Sequence, residues 1–231
     1  MRVRHGLIAA ALATALTAPA HAQTNCGEWL HLAVEPAEKA PDVEAVLRRR
    51  LEGAGAKQPI TVEPDGAGLK ALLPQNLGEA LLTRSGKFEM RLVAAGSDGL
   101  ELQRLDGGAP ERVEPAVILN EYRLRDVKLS TDAKATDPRF AVALDFRLDP
   151  VGMRNLLTAS AEAVGRKLAV IVEDRIVVTP IIRAPIASAE GEVAGGFTEQ
   201  GAAFLAEALR GGRLPARVTV AGREPATCGT N

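Results

Sequence analysis

The stretch Val164 to Ile186, "VGRKLAVIVEDRIVVTPIIRAPI", constrains the fold more than any other part of this chain. Two dense apolar runs flank Glu173-Asp174-Arg175. β-Branched runs broken by a short polar turn predict an antiparallel hairpin. Leu168–Val172 is apolar at every position, so both its faces need cover, which predicts a central strand in a layered α+β protein. Pro180 falls near the end of the partner strand, where a missing N–H is tolerated. No histidine, cysteine or glycine-rich loop accompanies the hairpin.

The ends of the chain indicate where it folds. Arg2 and Arg4, an apolar run from Leu7 to Ala18, and Ala20-His21-Ala22 make a secretory signal peptide, with cleavage expected after Ala22. The apolar run is short for a membrane span, which needs about 20 apolar residues. No later segment approaches that length. The protein is therefore expected in the periplasm and not membrane-spanning after cleavage. Cys26 and Cys228 are its two cysteines, and in an oxidising compartment they are expected to form one disulfide.

Composition narrows the chemistry. Formal net charge is −1 over 231 residues, and losing Arg2 and Arg4 makes it slightly more negative. Nucleic acid and anionic membranes are thus unexpected partners. With one Trp, one Tyr and five Phe, a base-stacking platform is equally unexpected. Beyond residue 22 the only histidine is His31, on the side of an alternating strand opposite Leu30 and Leu32. A Ser-His-Asp, Cys-His or multi-histidine metal site would have to rest on that residue alone. No cofactor or metal is expected, and no enzyme. The carboxylate pairs to weigh are Asp145 with Asp149 and Asp132 with Asp137. Asp149 before Pro150 reads as a helix cap, and the other pair as loop solvation.

Along the chain, Trp29–Val34 reads as a strand, and Pro41 opens a helix whose apolar stripe is Val43, Val46, Leu47 and Leu51. Arg48, Arg49 and Arg50 are expected to spread over its solvent side. Ile60-Thr61-Val62 and Leu69–Leu73 read as strands joined through Pro64-Asp65-Gly66, followed by a short helix from Leu77 to Thr83. Phe88, Met90 and Leu92 then alternate with polar residues as a half-buried strand. Strand, helix, strand, strand, helix, strand is the ferredoxin-like βαββαβ pattern, complete by about Ala95. Further strands are expected at Val117–Leu119, Arg123–Leu129 and Phe140–Leu148. A helix is expected from Asp149 to about Val164. A last helix, capped by Thr198, carries Phe204, Leu205, Ala208 and Leu209, ends at Gly211-Gly212 and precedes a strand at Val218–Val220.

Several segments resemble the first periplasmic domain of the SecD family, subunits of the bacterial SecDF protein-export complex. Gly165-Arg166-Lys167-Leu168, within Val164–Val172, resembles the family's "VGKRLAIVL" with its basic pair swapped. Pro180 to Pro185-Ile186 is similar to "APVIREPI", and Gly195-Gly196-Phe197-Thr198 resembles "TGNFT". Ala203 to Ala216, with Leu209, Arg210, Gly212, Leu214 and Pro215, is similar to "DLALLLRAGALPAP". In weaker form Val46–Leu51 resembles "VIRRRV" and Phe88–Val93 "LEFRLV". At the hairpin turn the family has Asp-Gly where this chain is read as Asp174-Arg175, which leaves the turn type open.

The resemblance implies an α+β protein with mostly antiparallel sheets. After the signal peptide expected at residues 1–22, it implies a ferredoxin-like base over 23–95 with closing strand 214–222. Residues 96–213 are then expected to form a head subdomain and 223–231 a C-terminal tail. It further implies a non-catalytic module that binds extended or unfolded polypeptide, or docks on an envelope protein-export complex. A small-molecule or cell-wall-fragment binder sharing only the fold is the alternative. A deep apolar pocket would favour the alternative, and an open cleft the polypeptide.

Overall fold

The computed structural model describes residues 24–56 and 59–228. The expected signal segment lies outside the described residues, as do the side chains of Cys26 and Cys228. The chain begins with β1 (Thr24–Glu35), α1 (Ala40–Gly53), β2 (Val62–Asp65), β3 (Gly68–Pro74) and the single turn α2 (Ala80–Thr83). Next come β4 (Phe88–Leu92), β5 (Leu100–Leu102), β6 (Glu111–Val113), β7 (Leu119–Asn120), β8 (Leu124–Thr131), β9 (Val142–Leu148) and α3 (Pro150–Glu162). It closes with β10 (Leu168–Val172), β11 (Arg175–Val178), β12 (Glu190–Ala194), α4 (Glu199–Gly211) and β13 (Arg217–Cys228).

The base is a four-stranded sheet in the order β13-β1-β3-β2, antiparallel throughout. Alternation along β1 turns Leu30, Leu32 and Val34 inward, onto Val43, Val46, Leu47 and Leu51 of α1. These side chains are essentially dry, and each contributes about 1.5–3 kcal/mol by burial. β2 includes Pro64 and Asp65, so the expected turn moves to Gly66-Ala67. As β2 is an edge strand, Pro64 loses no ladder bond.

The strand expected to complete this unit does not. Phe88–Leu92 pairs instead with β10, in register from Phe88↔Val172 to Leu92↔Leu168. It is not half-buried either: Glu89 and Arg91, its expected solvent side, are buried and pair with each other at 3.0 Å. The fourth base strand is β13, which stays paired with β1 from Glu35↔Arg217 to Thr24↔Cys228. Residues 223–228 are therefore strand, and the expected tail is shorter than proposed. The helix that leads into β13 is α4, which packs beside α1. The head is thus inserted between the third strand of the base and its second long helix, and α4 serves both parts.

In the head, β11-β10-β4-β7 forms one sheet and β12-β9-β8 another. Leu168, Val170 and Val172 turn one face of β10 into a core with Phe88, Phe146, Leu148, Leu156, Leu205 and Leu209. Ala169 and Ile171 turn the other face towards Ile176 and Val113. Both faces of β10 are covered, as its unbroken apolar run requires. Asp149 caps α3, its Oδ1 accepting from the Gly152 N–H at 2.6 Å. Thr198 caps α4 by accepting from Gly201 at 3.1 Å.

Candidate functional site: a cleft at the hairpin turn

The hairpin register pairs Val172 with Arg175, so the turn is Glu173-Asp174, one residue earlier than expected. Both residues have positive φ, 50° and 62°, the signature of a type I′ turn. Neither is glycine, and the turn is held by side chains. Glu173 accepts from Arg84 Nη1 at 3.3 Å, Ser85 Oγ at 3.4 Å and the Gly86 N–H at 3.3 Å. Lys87 Nζ donates to Asp174 Oδ1 at 2.5 Å.

Beside this turn lies a cleft of about 260 Å³. Its floor is Val172 and Leu205, both buried, and its walls are Leu105 and the half-buried Phe197. Arg84, Glu173 and Arg175 stand at its mouth, with Gly196, Thr198 and Gly201 opposite. Arg175 donates to the Arg104 carbonyl oxygen at 3.0 Å and has no carboxylate partner among the described residues. A broader concavity of about 780 Å³ covers the outer face of β12-β9-β8. It is lined by charge: Asp126, Lys128, Asp145, Arg147, Glu190 and Glu192. Phe146 contributes little there because its ring faces the core.

Three sequence-predicted motif residues reach the cleft: Gly196, Phe197 and Thr198. The others build the frame. The Gly165 N–H donates to the Ile182 oxygen at 2.8 Å, and the Leu168 N–H to the Pro180 oxygen at 2.9 Å, which joins two motifs through backbone. Arg166 binds the Val93 oxygen at 3.1 Å and Glu114, while Lys167 lies 3.4 Å from Glu111. Ile186 N–H, after Pro185, donates to Ser160 Oγ at 2.8 Å. Leu209 is core, Arg210 pairs with Glu207, and Pro215 is exposed. Leu214 is buried in the base, its N–H donating to the Ser85 oxygen at 2.8 Å. Arg84, Leu105 and Arg175 were missed because they lie outside or at the end of periodic segments.

Arg50 corrects the sequence reading most. It is fully buried, not on the solvent side of α1. Its guanidinium donates to the carbonyl oxygens of Leu81 (3.0 Å), Arg84 (2.6 Å), Ser85 (3.2 Å) and Gly212 (2.7 Å). Burial lowers its pKa to about 10, so it remains charged at neutral pH. A Cβ on Gly211 would stand 2.3 Å from Arg50 Cγ, and Gly212 has φ 99°. The first glycine is required by close approach and the second by its conformation. Spacing carried the signal: Arg50 lies seven residues after Val43 and three after Leu47, on the apolar stripe.

The carboxylates weighed for catalysis have local tasks. Asp149 also faces Arg123 and Arg125, each at 3.3 Å, and its pKa is lowered by its bond from Gly152 and by these arginines. Asp132 and Asp137 each accept from a backbone N–H two residues on, at Lys134 and Arg139. Among the described residues no group of three or more His, Cys, Asp or Glu is placed to hold a metal ion.

With that geometry in place, comparison with known proteins is decisive for the family. The family model described as "SecDF, P1 head subdomain" matches residues 98–216 of the 231. The chain belongs to the SecDF P1 head subdomain family. The match starts just before β5 and ends after α4, so it takes in both cleft walls, Leu105 and Phe197. Protein translocase subunit SecD of Acetobacter pasteurianus is 28% identical over 187 residues, covering 76% of this chain and 36% of the relative. Protein translocase subunit SecDF of Brucella abortus is 28% identical over 214 residues, covering 84% and 28% respectively. The chain thus spans about a third of the length of the curated relatives it matches. A solved structure described as SecDF in a super-membrane-facing form superposes with TM-score 0.68 at 19% identity, over 89% of this chain and 32% of that one. A second, described as a membrane component SecDF that enhances protein export, gives 0.60 at 19% identity, over 84% and 98%. These likenesses establish the shared α+β fold with mostly antiparallel sheets. Among the described residues no helix is long and apolar enough to cross a membrane.

Proposed function

We propose that this chain is a non-catalytic periplasmic contact module that associates with a protein-export complex and engages extended or unfolded polypeptide through its head. The observation that carries the reading is the open cleft between the hairpin turn and the Gly196-Phe197 loop, in a chain matching the SecDF P1 head family over residues 98–216. A cleft with an apolar floor and charged mouth suits one side chain of a passing polypeptide. At about 260 Å³ the cleft lies below the roughly 300–1,000 Å³ of small-molecule sites. The larger concavity of about 780 Å³ on β12-β9-β8 is a charged sheet face and not an apolar pocket. Together these favour polypeptide over the small-ligand or cell-wall-fragment alternative. The division of labour proposed is a base that orients and a head that touches. A Cys26–Cys228 disulfide would close the base, since β1 and β13 bring these residues onto neighbouring strands. Thiol labelling with and without reductant checks that bridge.

The test is photo-crosslinking in the periplasm with a photoreactive residue at Arg175, while one tagged export substrate is held in transit. The expected outcome is a crosslink to that substrate from Arg175 and none from Asp42, exposed on the far end of α1. Equal labelling at both positions, or none at Arg175, overturns the reading.

A further inference from the structure

We infer that the hairpin-turn cleft selects an apolar residue followed by an acidic one, so that the polypeptide proposed above is recognised at Leu-Asp-type steps. The inference rests on that proposed function and deepens it.

The floor can accept only an apolar group. Val172, 6% exposed over the fully buried Leu205, and the half-buried Leu105 and Phe197 are the apolar lining an incoming group meets. Their side chains offer no hydrogen bond, so a polar side chain seated against them would lose its water without replacement. Phe197 supplies a flat wall. The mouth then fixes the neighbouring charge. Glu173 already accepts three hydrogen bonds, from Arg84, Ser85 and Gly86, and so has its negative charge answered. Arg175 is the unanswered charge: among the described residues it donates to the Arg104 carbonyl oxygen and faces no carboxylate. The uncompensated charge at the mouth is therefore positive. A carboxylate one residue along an extended chain projects to the opposite side from the buried side chain, outward to the rim. A charge-assisted bond from a guanidinium there is worth more than a neutral one. A lysine in the same place would meet Arg175 and be disfavoured.

The experiment titrates the whole chain with blocked Gly-Leu-Asp-Gly, Gly-Leu-Asn-Gly and Gly-Ala-Asp-Gly peptides. Binding is followed by the amide shifts of Gly196 and Gly201. The Leu-Asp peptide is expected to bind roughly tenfold more tightly than either control. R175Q should erase its advantage over Leu-Asn. R175E should invert the charge preference, favouring Gly-Leu-Lys-Gly over Leu-Asp. Because Arg175 is exposed on the turn, neither substitution touches the core. A longer extended peptide without acidic residues is titrated in parallel. If it binds at the cleft while the Leu-Asp preference is absent, the inference falls and the contact function stands. If neither it nor the short peptides shift the cleft amides, both fall.

Discussion

Base and head use the same chemical group in opposite ways. In the base, the Arg50 guanidinium is sealed from water, and backbone carbonyls of α2, the 84–85 segment and Gly212 consume its donors. In the head, the Arg175 guanidinium stands exposed at a cleft mouth with a single carbonyl partner. The first closes a junction and the second leaves a junction open. The contact role proposed above would use both, with the base satisfying the Arg50 donors internally and the head leaving the Arg175 guanidinium open to a partner.

The largest expected effect breaks the closed side. R50M keeps the apolar length of the side chain and removes every donor. The carbonyl oxygens of Leu81, Arg84, Ser85 and Gly212 then lose their guanidinium partner. Unsatisfied buried acceptors cost about 1–3 kcal/mol each when no water replaces the donor, and partial rehydration should bring the total to about 3–4 kcal/mol. The denaturant midpoint should fall accordingly. Because α4 contributes Leu205 and Leu209 to the head core and packs beside α1 of the base, base and head signals should fall together. A midpoint within about 0.5 kcal/mol of the parent, on the scale of an ordinary surface substitution, would mean that Arg50 is not what closes the junction.

Much of this contrast was legible in the sequence, and the remainder has physical reasons for being hidden. Leu168–Val172 declared a strand covered on both faces, and Asp149 and Thr198 announced their helices, because these signals are local. The partner of Phe88–Leu92 was not legible. Alternation says that a strand has two sides, but not which distant strand it joins. Since the head interrupts the base, the closing strand lies more than a hundred residues beyond β3. Arg50 was legible in its spacing but overruled by its charge. At the site, Gly196-Phe197-Thr198 could be read as a motif. Arg84, Leu105 and Arg175 come from three separate segments that only the folded head brings together. The hairpin turn was expected at Asp174-Arg175, and its true place at Glu173-Asp174 was hidden because neither residue is the glycine that a type I′ turn usually shows.

A smaller effect concerns the open face of the base. His31 Nδ1 lies 2.6 Å from Asp65 Oδ2, and its Nε2 lies 3.2 Å from Glu224 Oε1. A neutral imidazole has one N–H, so only the imidazolium donates to both carboxylates. Lys70, opposite His31 on β3, shares Glu224 at 3.1 Å. The Asp65 bond, working against desolvation, raises the His31 pKa above 6.5, with Glu224 adding to it. A raised value in the folded state means that stabilisation is complete below 6.5 and disappears as pH climbs through the folded pKa. Melting of the parent should therefore drop relative to H31Q as the pH rises above 6.5. Parallel curves for the two proteins would show that the histidine clasp contributes nothing.

The smallest expected effect sharpens the comparison at the turn itself. D174G places glycine where φ is 62°, relieving a conformation that costs an L-residue about 1 kcal/mol, although aspartate tolerates it better than most. The substitution also removes the Lys87 pair, whose Asp174 side is 66% exposed and therefore contributes little. The balance should be a gain of no more than about 0.5 kcal/mol, read as a slight rise in denaturant midpoint. Glu173 keeps its three donors, so the mouth of the cleft retains its shape and Arg175 its position. D174G should then leave peptide affinity unchanged while R175Q lowers it. A loss of affinity in D174G equal to that in R175Q would mean that the strained turn, and not the unpaired guanidinium, sets what the head accepts.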